Sequence, residues 1–436
     1  MRRFNAYHLV FFNVFLLLSS VILNATVIES VGGETGDRSW ENMNIWVGGA
    51  VPGAADTVVI NGLVTVYTPV PETITACAKL TVNSGAILRD YWAGVLHVNG
   101  DLINNGTIEN SYDGTYHLVL KISGNVTNNG EWKNVLTTLN GAETQHLSGS
   151  GLFSCKEFVS ENSADTLIAD ANLFFNNTFV NLNNDKFMTQ GYTLSLTNGY
   201  INNANIVGEN GELYMNGSWY DGAYSHNACL MNSVVTDITL TGIVAVNANV
   251  IFDGIVIVAD TLQNDCYDPY VLQIDGDIIN NGLIRNANDS YSLTLNLNGN
   301  ITNNGIWING TTNLSGNSSQ HLTFSSPFSS RYFYDTDSSS AIIADTDLHF
   351  HNCYMDLDSA EFDLQGNQLS FTGDYYTYDL RNATIIANGG SLFMNNFAYL
   401  YQTTLNGTTL KGEVQVSNGV IFQGITTVTD TLQNYY

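Results

Sequence analysis

The 436-residue chain is 44% hydrophobic and only 12% charged, with 39 Gly and 5 Pro, which excludes both a disordered polyelectrolyte and a collagen-like fibre. Its 13 Lys and Arg against 40 Asp and Glu leave a formal charge of -27, so phosphate backbones and anionic lipid surfaces are repelled and nucleic acid is not expected as a partner. Five cysteines, Cys77, Cys155, Cys229, Cys266 and Cys353, form no Cys-x-x-Cys pair, and an odd number at wide spacing reads as buried single thiols rather than a disulfide framework.

Residues 1–25 have the pattern of a secretory signal peptide: Arg2 and Arg3, an apolar core from about Leu9 to Leu23, then Ala25 at a small-residue end. The core is short for a membrane span and no later apolar run is long enough for one. The expectation is a protein that is secreted or at the cell surface (outer membrane, extracellular), with no membrane span once the signal is removed. Residues 26–83 are expected to form an N-terminal cap and the first coils. Pro52 and Gly53 make a turn, Val58 and Ile60 begin a strand of period two, and Trp40, Trp46 and Trp92 are candidates to cover the open end.

Two near-duplicate stretches follow, Leu96 to Trp132 and Leu272 to Trp307, and each contains the same phrase twice: an alternating apolar run, Gly-Asp or Gly-Asn, an aliphatic residue, then Asn-Asn-Gly. The inner step is 24 residues from Gly100 to Gly124 and 23 from Gly276 to Gly299, which suits one coil of a solenoid. The fold class is therefore all-β: a parallel β-helix, right-handed by the general bias of parallel crossovers, of roughly 17 or 18 coils and about 85 Å. Two tandem long repeats of about 170–180 residues divide it, 84–264 and 265–436. Asp260-Thr261-Leu262-Gln263-Asn264 closes the first and Asp430-Thr431-Leu432-Gln433-Asn434 the second, so the chain reads as a fragment that continues. A monomeric rod is the expectation.

Gln145-His146-Leu147 and Ile168-Ala169-Asp170 recur at an offset of 175 as Gln320-His321-Leu322 and Ile343-Ala344-Asp345. The two histidines are expected to bond the backbone of the next coil. Where the offset changes, residues have been inserted, and insertions in a solenoid map to loops that leave the rod. Repeat one gains about nine around Ser218 to His226, and repeat two about four near Gly373 to Tyr378. Both are aromatic. Flat rings on protruding loops can stack on neutral sugar faces while a carboxylate accepts hydroxyl hydrogen bonds. The candidate glycan-binding residues are accordingly Trp219, Tyr220, Asp221 and Tyr224 in the first loop and Tyr375, Tyr376 and Tyr378 in the second, with Asp374 as a further acceptor. The competing expectation is that these rings fold back over the solenoid as satellite cores.

No catalytic, cofactor or metal site is expected. His349, His351 and Cys353 at i, i+2 and i+4 put three ligand types on one face of a strand, but a fourth is lacking. Structural calcium is open at Asp113, Asp265, Asp268 and Asp289, without an EF-hand spacing to support it. A polysaccharide lyase or glycoside hydrolase is the alternative function, and it would need converging carboxylates with a Lys or Arg beside them.

The run Gly49-x-Val51-Pro52-x-x-x-Asp56-x-Val58-x-Ile60, the Asn-Asn-Gly turns and the Gln-His-Leu phrases resemble secreted repeat proteins of the Bacteroidetes, which are similar to the G8-like and pectate-lyase-like β-helix families. The resemblance implies export, often by the type IX route, and display as adhesin-like surface proteins. Galacturonan hydrolases of this fold resemble one another in an Asp-Asp pair, a Gly-His-Gly and an Arg-x-Lys, none of which occurs here. The combined expectation is a structural or adhesive solenoid, not an enzyme, that presents aromatic loops to glycan or to a cell-surface partner.

Overall fold

The computed structural model describes residues 25–434 except 68–74, 91, 112–116, 162–165, 222–223, 266–268, 289–291, 337–340, 374–377 and 396–397. The described chain is a β-solenoid of about 16 turns. Strands lie in three parallel sheets, and one turn visits each in order: Lys79–Val82 in sheet one, Ile87–Asp90 in sheet two, Gly94–Val98 in sheet three. The next turn stacks in register, Leu102–Asn104 on the first, Thr107–Glu109 on the second and Leu118–Ile122 on the third. Step length varies from coil to coil: Val27 pairs with Thr57 across the cap loop and Asn205 with Val234 across the first insertion, whereas Val234 pairs with Ile251 directly on the following coil.

Alternation drives this arrangement. In Leu118–Ile122 the leucines and isoleucine face inward and are buried, while Val119 and Lys121 face out. Asn104 and Asn128, 24 residues apart, are Cα partners, and Asn104 Nδ2 donates to Asn128 Oδ1 at 2.9 Å with both side chains fully buried. Asn280 and Asn303 repeat the contact at 2.8 Å. The Asn104 amide also bonds the Glu131 carbonyl and accepts from Gly106 N–H, so one side chain satisfies the backbone at a corner that has no ladder of its own. The third residue of Asn-Asn-Gly is glycine because these corners stack: a Cβ on Gly130 would collide with the carbonyl oxygen of Gly106. Other corners use left-handed asparagines, Asn177, Asn203, Asn232 and Asn352 among them, a conformation asparagine tolerates better than most residues.

The interiors of the two long repeats are alike. Trp132, Phe153 and Phe158 correspond to Trp307, Phe328 and Phe333, all buried, and the Phe153–Phe158 and Phe328–Phe333 ring pairs are both edge-on at 5.7 Å. Their placement around the axis differs. Leu118–Ile122 belongs to sheet three, whereas its counterpart Leu293–Leu297 pairs with Tyr270–Ile274 in sheet one. The reason is topological. The strands from Gly94–Val98 to Thr261–Asn264 cross the sheets twenty-five times, since Val234–Val246 runs through three of them and Ile251–Val258 through two, and twenty-five is eight turns and one face.

The cap confirms two of three tryptophans. Trp40 and Trp46 are each 2% exposed and meet edge-on at 5.2 Å, with Trp46 Nε1 donating to the Trp40 carbonyl at 2.7 Å. Asp56 fastens the cap through the Thr26 hydroxyl and Gly53 N–H, which hold its carboxyl below the usual range. Trp92 is not part of the cover: it sits at a corner with φ of 82° and is 54% exposed. At the far end, Phe422, Val428 and Leu432 are exposed, while their counterparts Phe252, Val258 and Leu262 are buried beneath the coil that follows. No helix among the described residues is long and apolar enough to cross a membrane.

Candidate functional site

Two outer surfaces carry concentrated aromatic side chains, and they occupy the same place in the two long repeats. In repeat one, Phe179 and Tyr200 are Cα partners on adjacent turns of sheet three, and their rings stack at 4.6 Å. The inserted segment leaves the solenoid as an antiparallel hairpin, Ser218–Asp221 with Tyr224–Asn227, paired to itself alone. It does not stand away from the rod. Trp219 lies edge-on to Tyr200 at 5.1 Å and to Phe179 at 5.9 Å, and its other neighbour is the His226 ring, stacked at 4.5 Å. His226 Nδ1 donates to Asp265 Oδ2 at 2.7 Å, and Asn227 N–H and the Asn247 amide also donate to that carboxylate. Trp219 is therefore the centre of a satellite core, pinned by a buried Asp. Tyr220, Asp221 and Tyr224 are placed on the hairpin backbone. Tyr375, Tyr376 and Asp374 lie outside the described residues, and Tyr378 begins the strand Tyr378–Arg381 in sheet one.

Repeat two has no hairpin at the matching position: the strand Ser391–Met394 is followed closely by Ala398–Tyr401. Among the described residues no hairpin covers its outer face on sheet one. Four successive turns contribute to it, Phe328–Asp335, Tyr354–Asp356, Tyr378–Arg381 and Ala398–Tyr401. Alternation turns Phe333, Met355, Leu380 and Leu400 inward and leaves Tyr332, Tyr334, Tyr354, Arg381, Tyr399 and Tyr401 half-buried on the outside. Arg381 lies over three rings, 5.2 Å from Tyr354, 5.7 Å from Tyr399 and 5.0 Å from Tyr401, within cation–π range of each. Its guanidinium bonds Asp379 Oδ2 through Nε at 2.9 Å and a terminal nitrogen at 2.6 Å. Tyr332 and Tyr334 are parallel at 5.9 Å and Tyr354 meets both edge-on. Burial raises Tyr334, Tyr354 and Tyr399 above the ordinary phenol value, so these hydroxyls are protonated donors at neutral pH. Burial also raises Asp379, against the pull of Arg381.

The repeated Gln-His-Leu phrases divide their work differently from the expectation. It is the glutamine that bonds the neighbouring coil's backbone: Gln145 Nε2 reaches the carbonyls of Ile122 and Gly124, and Gln320 Nε2 those of Leu297 and Gly299. The histidines pair with carboxylates one turn on, His146 with Asp170 and His321 with Asp345, both at 2.9 Å. These pairs are half exposed and contribute little to stability.

The three potential ligands near residue 350 do not share a face. His349 and His351 point outward and converge on the Thr372 hydroxyl at 2.7 and 3.3 Å. Asn352, in the left-handed region, reverses the parity of the chain and sends Cys353 into the core, where burial raises its thiol. Cys77, Cys155 and Cys229 are likewise buried thiols, with burial pushing Cys77 and Cys155 up to about 12; Cys266 lies outside the described residues. Of the four calcium candidates only Asp265 is described, engaged by the hairpin as above. Among the described residues no group of three or more His, Cys, Asp and Glu could hold a metal.

A cavity of about 850 Å³ beside the N-terminal cap is lined by Glu34, Asp37 and Glu41 together with Arg38, Tyr67 and Arg89. Arg38 is committed to the carbonyls of Leu63 and Val31, both at 2.7 Å, and Asp37 accepts from Ser39 N–H at 3.0 Å.

The chain matches no family model, no curated protein and no solved structure. The fold is thus established by its own geometry, and function rests on the surfaces just described.

Proposed function

We propose that this is a secreted or cell-surface structural and adhesive β-solenoid that holds neutral glycan on outward-facing aromatic rings. The observation that carries the reading is the tyrosine face of repeat two: half-buried rings with hydroxyls at their tips, Tyr332 and Tyr334 parallel and Tyr354 edge-on to both, carried outward by four stacked strands. Export is supported by the N-terminal pattern of residues 1–25 and kinship to Bacteroidetes-type secreted repeat proteins by the Gly49 to Ile60 run; both are readings of the sequence. The partner would be a glycan or a glycan-bearing cell surface, met by a monomeric rod. Screening the whole protein on a glycan array tests this: retention of neutral glycans is expected, and absence of any retention by folded protein sinks it. A Trp219→Ala, Tyr220→Ala double variant that keeps full retention would remove the hairpin from the binding surface.

A second reading, polysaccharide cleavage, is favoured by the cavity beside the cap, which gathers three carboxylates and two arginines. Reducing ends released from a polysaccharide panel, and lost in Glu41→Gln, would establish it.

A further inference from the structure

We infer that repeat two carries a binding site for a small aliphatic carboxylate, in a polar groove of sheet three beside Lys411. The groove lies on a different sheet from the tyrosines, and the inference does not depend on the glycan reading.

The groove has a volume of about 290 Å³ and is lined by Asp347, Gln368, Ser391, Thr409 and Lys411, with the bare backbone of Gly366 and Gly389 between them. The segments that build it, 345–349, 364–370, 387–394 and 407–412, are described throughout. Pairing fixes the layout. Gln368 pairs with Ser391 and Ser391 with Thr409 on successive turns, while Lys411 stands two residues along, beside Phe393. Alternation turns Leu369, Leu392 and Leu410 into the core and leaves these four polar side chains on the outer face.

Within the groove, donors outnumber the charges that could match them. Among the described residues the Lys411 ammonium bonds Gln368 Oε1 at 3.2 Å and has no carboxylate within ion-pairing distance. The Ser391 hydroxyl donates to that same oxygen at 3.3 Å. A neutral amide oxygen leaves the lysine's charge unmatched and two of its three N–H groups without an acceptor. The groove's own carboxylate, Asp347, sits exposed at one end and accepts from Gln368 N–H at 2.8 Å.

Repeat one shows what belongs in the space. Thr193, Glu212, Thr239 and Thr241 stand there in the positions of Gln368, Ser391, Thr409 and Lys411, with the same pairing. The Glu212 carboxylate fills the middle and accepts from the Thr193 hydroxyl at 3.4 Å and from the Thr241 hydroxyl. Repeat two shortens that glutamate to Ser391 and Asn210 to Gly389, and sets a cation where Thr241 stood. The carboxylate is gone while a counter-charge for it has been added. What completes the pattern is a carboxylate on a short aliphatic arm arriving from outside, its oxygens accepting from Lys411 and from the Ser391 or Thr409 hydroxyl. The side chain of an acidic peptide and a free aliphatic acid share this chemistry. A formal charge of -27 repels a polyanion more than a single small acid, which favours the free acid.

The test is saturation-transfer NMR titration of the whole protein with glutarate, with glutaramide as the uncharged isostere and a glutamate-rich peptide as the polyanionic arm. Saturable glutarate binding at about 1 mM is expected, weakened about tenfold or more in Lys411→Gln. Ser391→Glu, which restores the repeat-one residue, should abolish it, and Ser391→Gln, which fills the space without a charge, should block it as well. The pair Glu212→Ser with Thr241→Lys should open a second site in repeat one. Tyr354→Ala should change nothing. Glutaramide bound as tightly as glutarate, or glutarate binding kept in a folded Ser391→Glu variant, overturns the inference. Binding of the peptide alone makes a polypeptide the occupant and overturns the free-acid assignment, and no saturable binding of any probe overturns the site. None of these outcomes touches retention of neutral glycans, which is measured separately.

Discussion

The two long repeats share their interior and differ in what they do with one outward patch. From Met215 to Cys229 repeat one spends nine more residues than repeat two uses from Met394 to Tyr399, and those residues form the hairpin that closes over Phe179 and Tyr200. Repeat two, lacking them, carries Tyr354, Arg381, Tyr399 and Tyr401 half-buried on that patch, with no such cover among the described residues. A solenoid can thus change a surface from satellite core to accessible face without disturbing a single inward position, because insertions enter at corners and the ladder resumes in register one turn later.

The largest effect should come where the repeats are the same. Trp132→Ala and Trp307→Ala each remove a fully buried indole, and each should cost about 3–5 kcal/mol of stability in denaturant titration. A large inequality would show that the interiors are not equivalent. Next comes the pin of the cover: Asp265→Ala strips a buried acceptor from His226, Asn227 and Asn247, and should cost about 1–3 kcal/mol and raise amide exchange across Ser218–Asn227. Slow exchange retained in that variant would mean the hairpin is held by its rings alone. Trp219→Ala should cost about 1 kcal/mol through lost ring contacts, with no change in repeat two.

The smallest expected effect is acid sensitivity. His349 in repeat two and His97 in repeat one both have pKa values held below 6.5, first by burial, then by His351 and by Lys121 respectively. The folded state therefore binds fewer protons than the unfolded chain between those lowered values and 6.5, and stability falls as pH drops through that window. His349→Gln and His97→Gln should each flatten the melting temperature between pH 7.5 and 5.5; a slope unchanged in both variants would place the acid response elsewhere.

Much of the architecture was readable before any coordinates. Asn-Asn-Gly at a step of two dozen residues is the imprint of stacked corners, and the Asn104–Asn128 contact is its direct expression. The jump in offset located the hairpin. What sequence reasoning missed was the tyrosine face, because its members come from four separate segments and become neighbours only once the register is known. The available signal was Tyr-x-Tyr at 332 and 334 and again at 399 and 401, an outward alternation in strands whose middle residue is apolar. The His–Asp pairs were also within reach, since His146 and Asp170 recur together as His321 and Asp345. The metal-like trio near residue 350 misled because a left-handed Asn352 breaks the period-two rule between His351 and Cys353.

Twenty-five crossings per long repeat has a consequence for anything that recognises a repeated feature of this rod. His146 lies on sheet one and His321 on sheet two, so corresponding surfaces look out in directions a third of a revolution apart. A flat partner cannot grip both at once, whereas a wrapped strand or a surrounding matrix can, and a further repeat built on the same count would complete the circle.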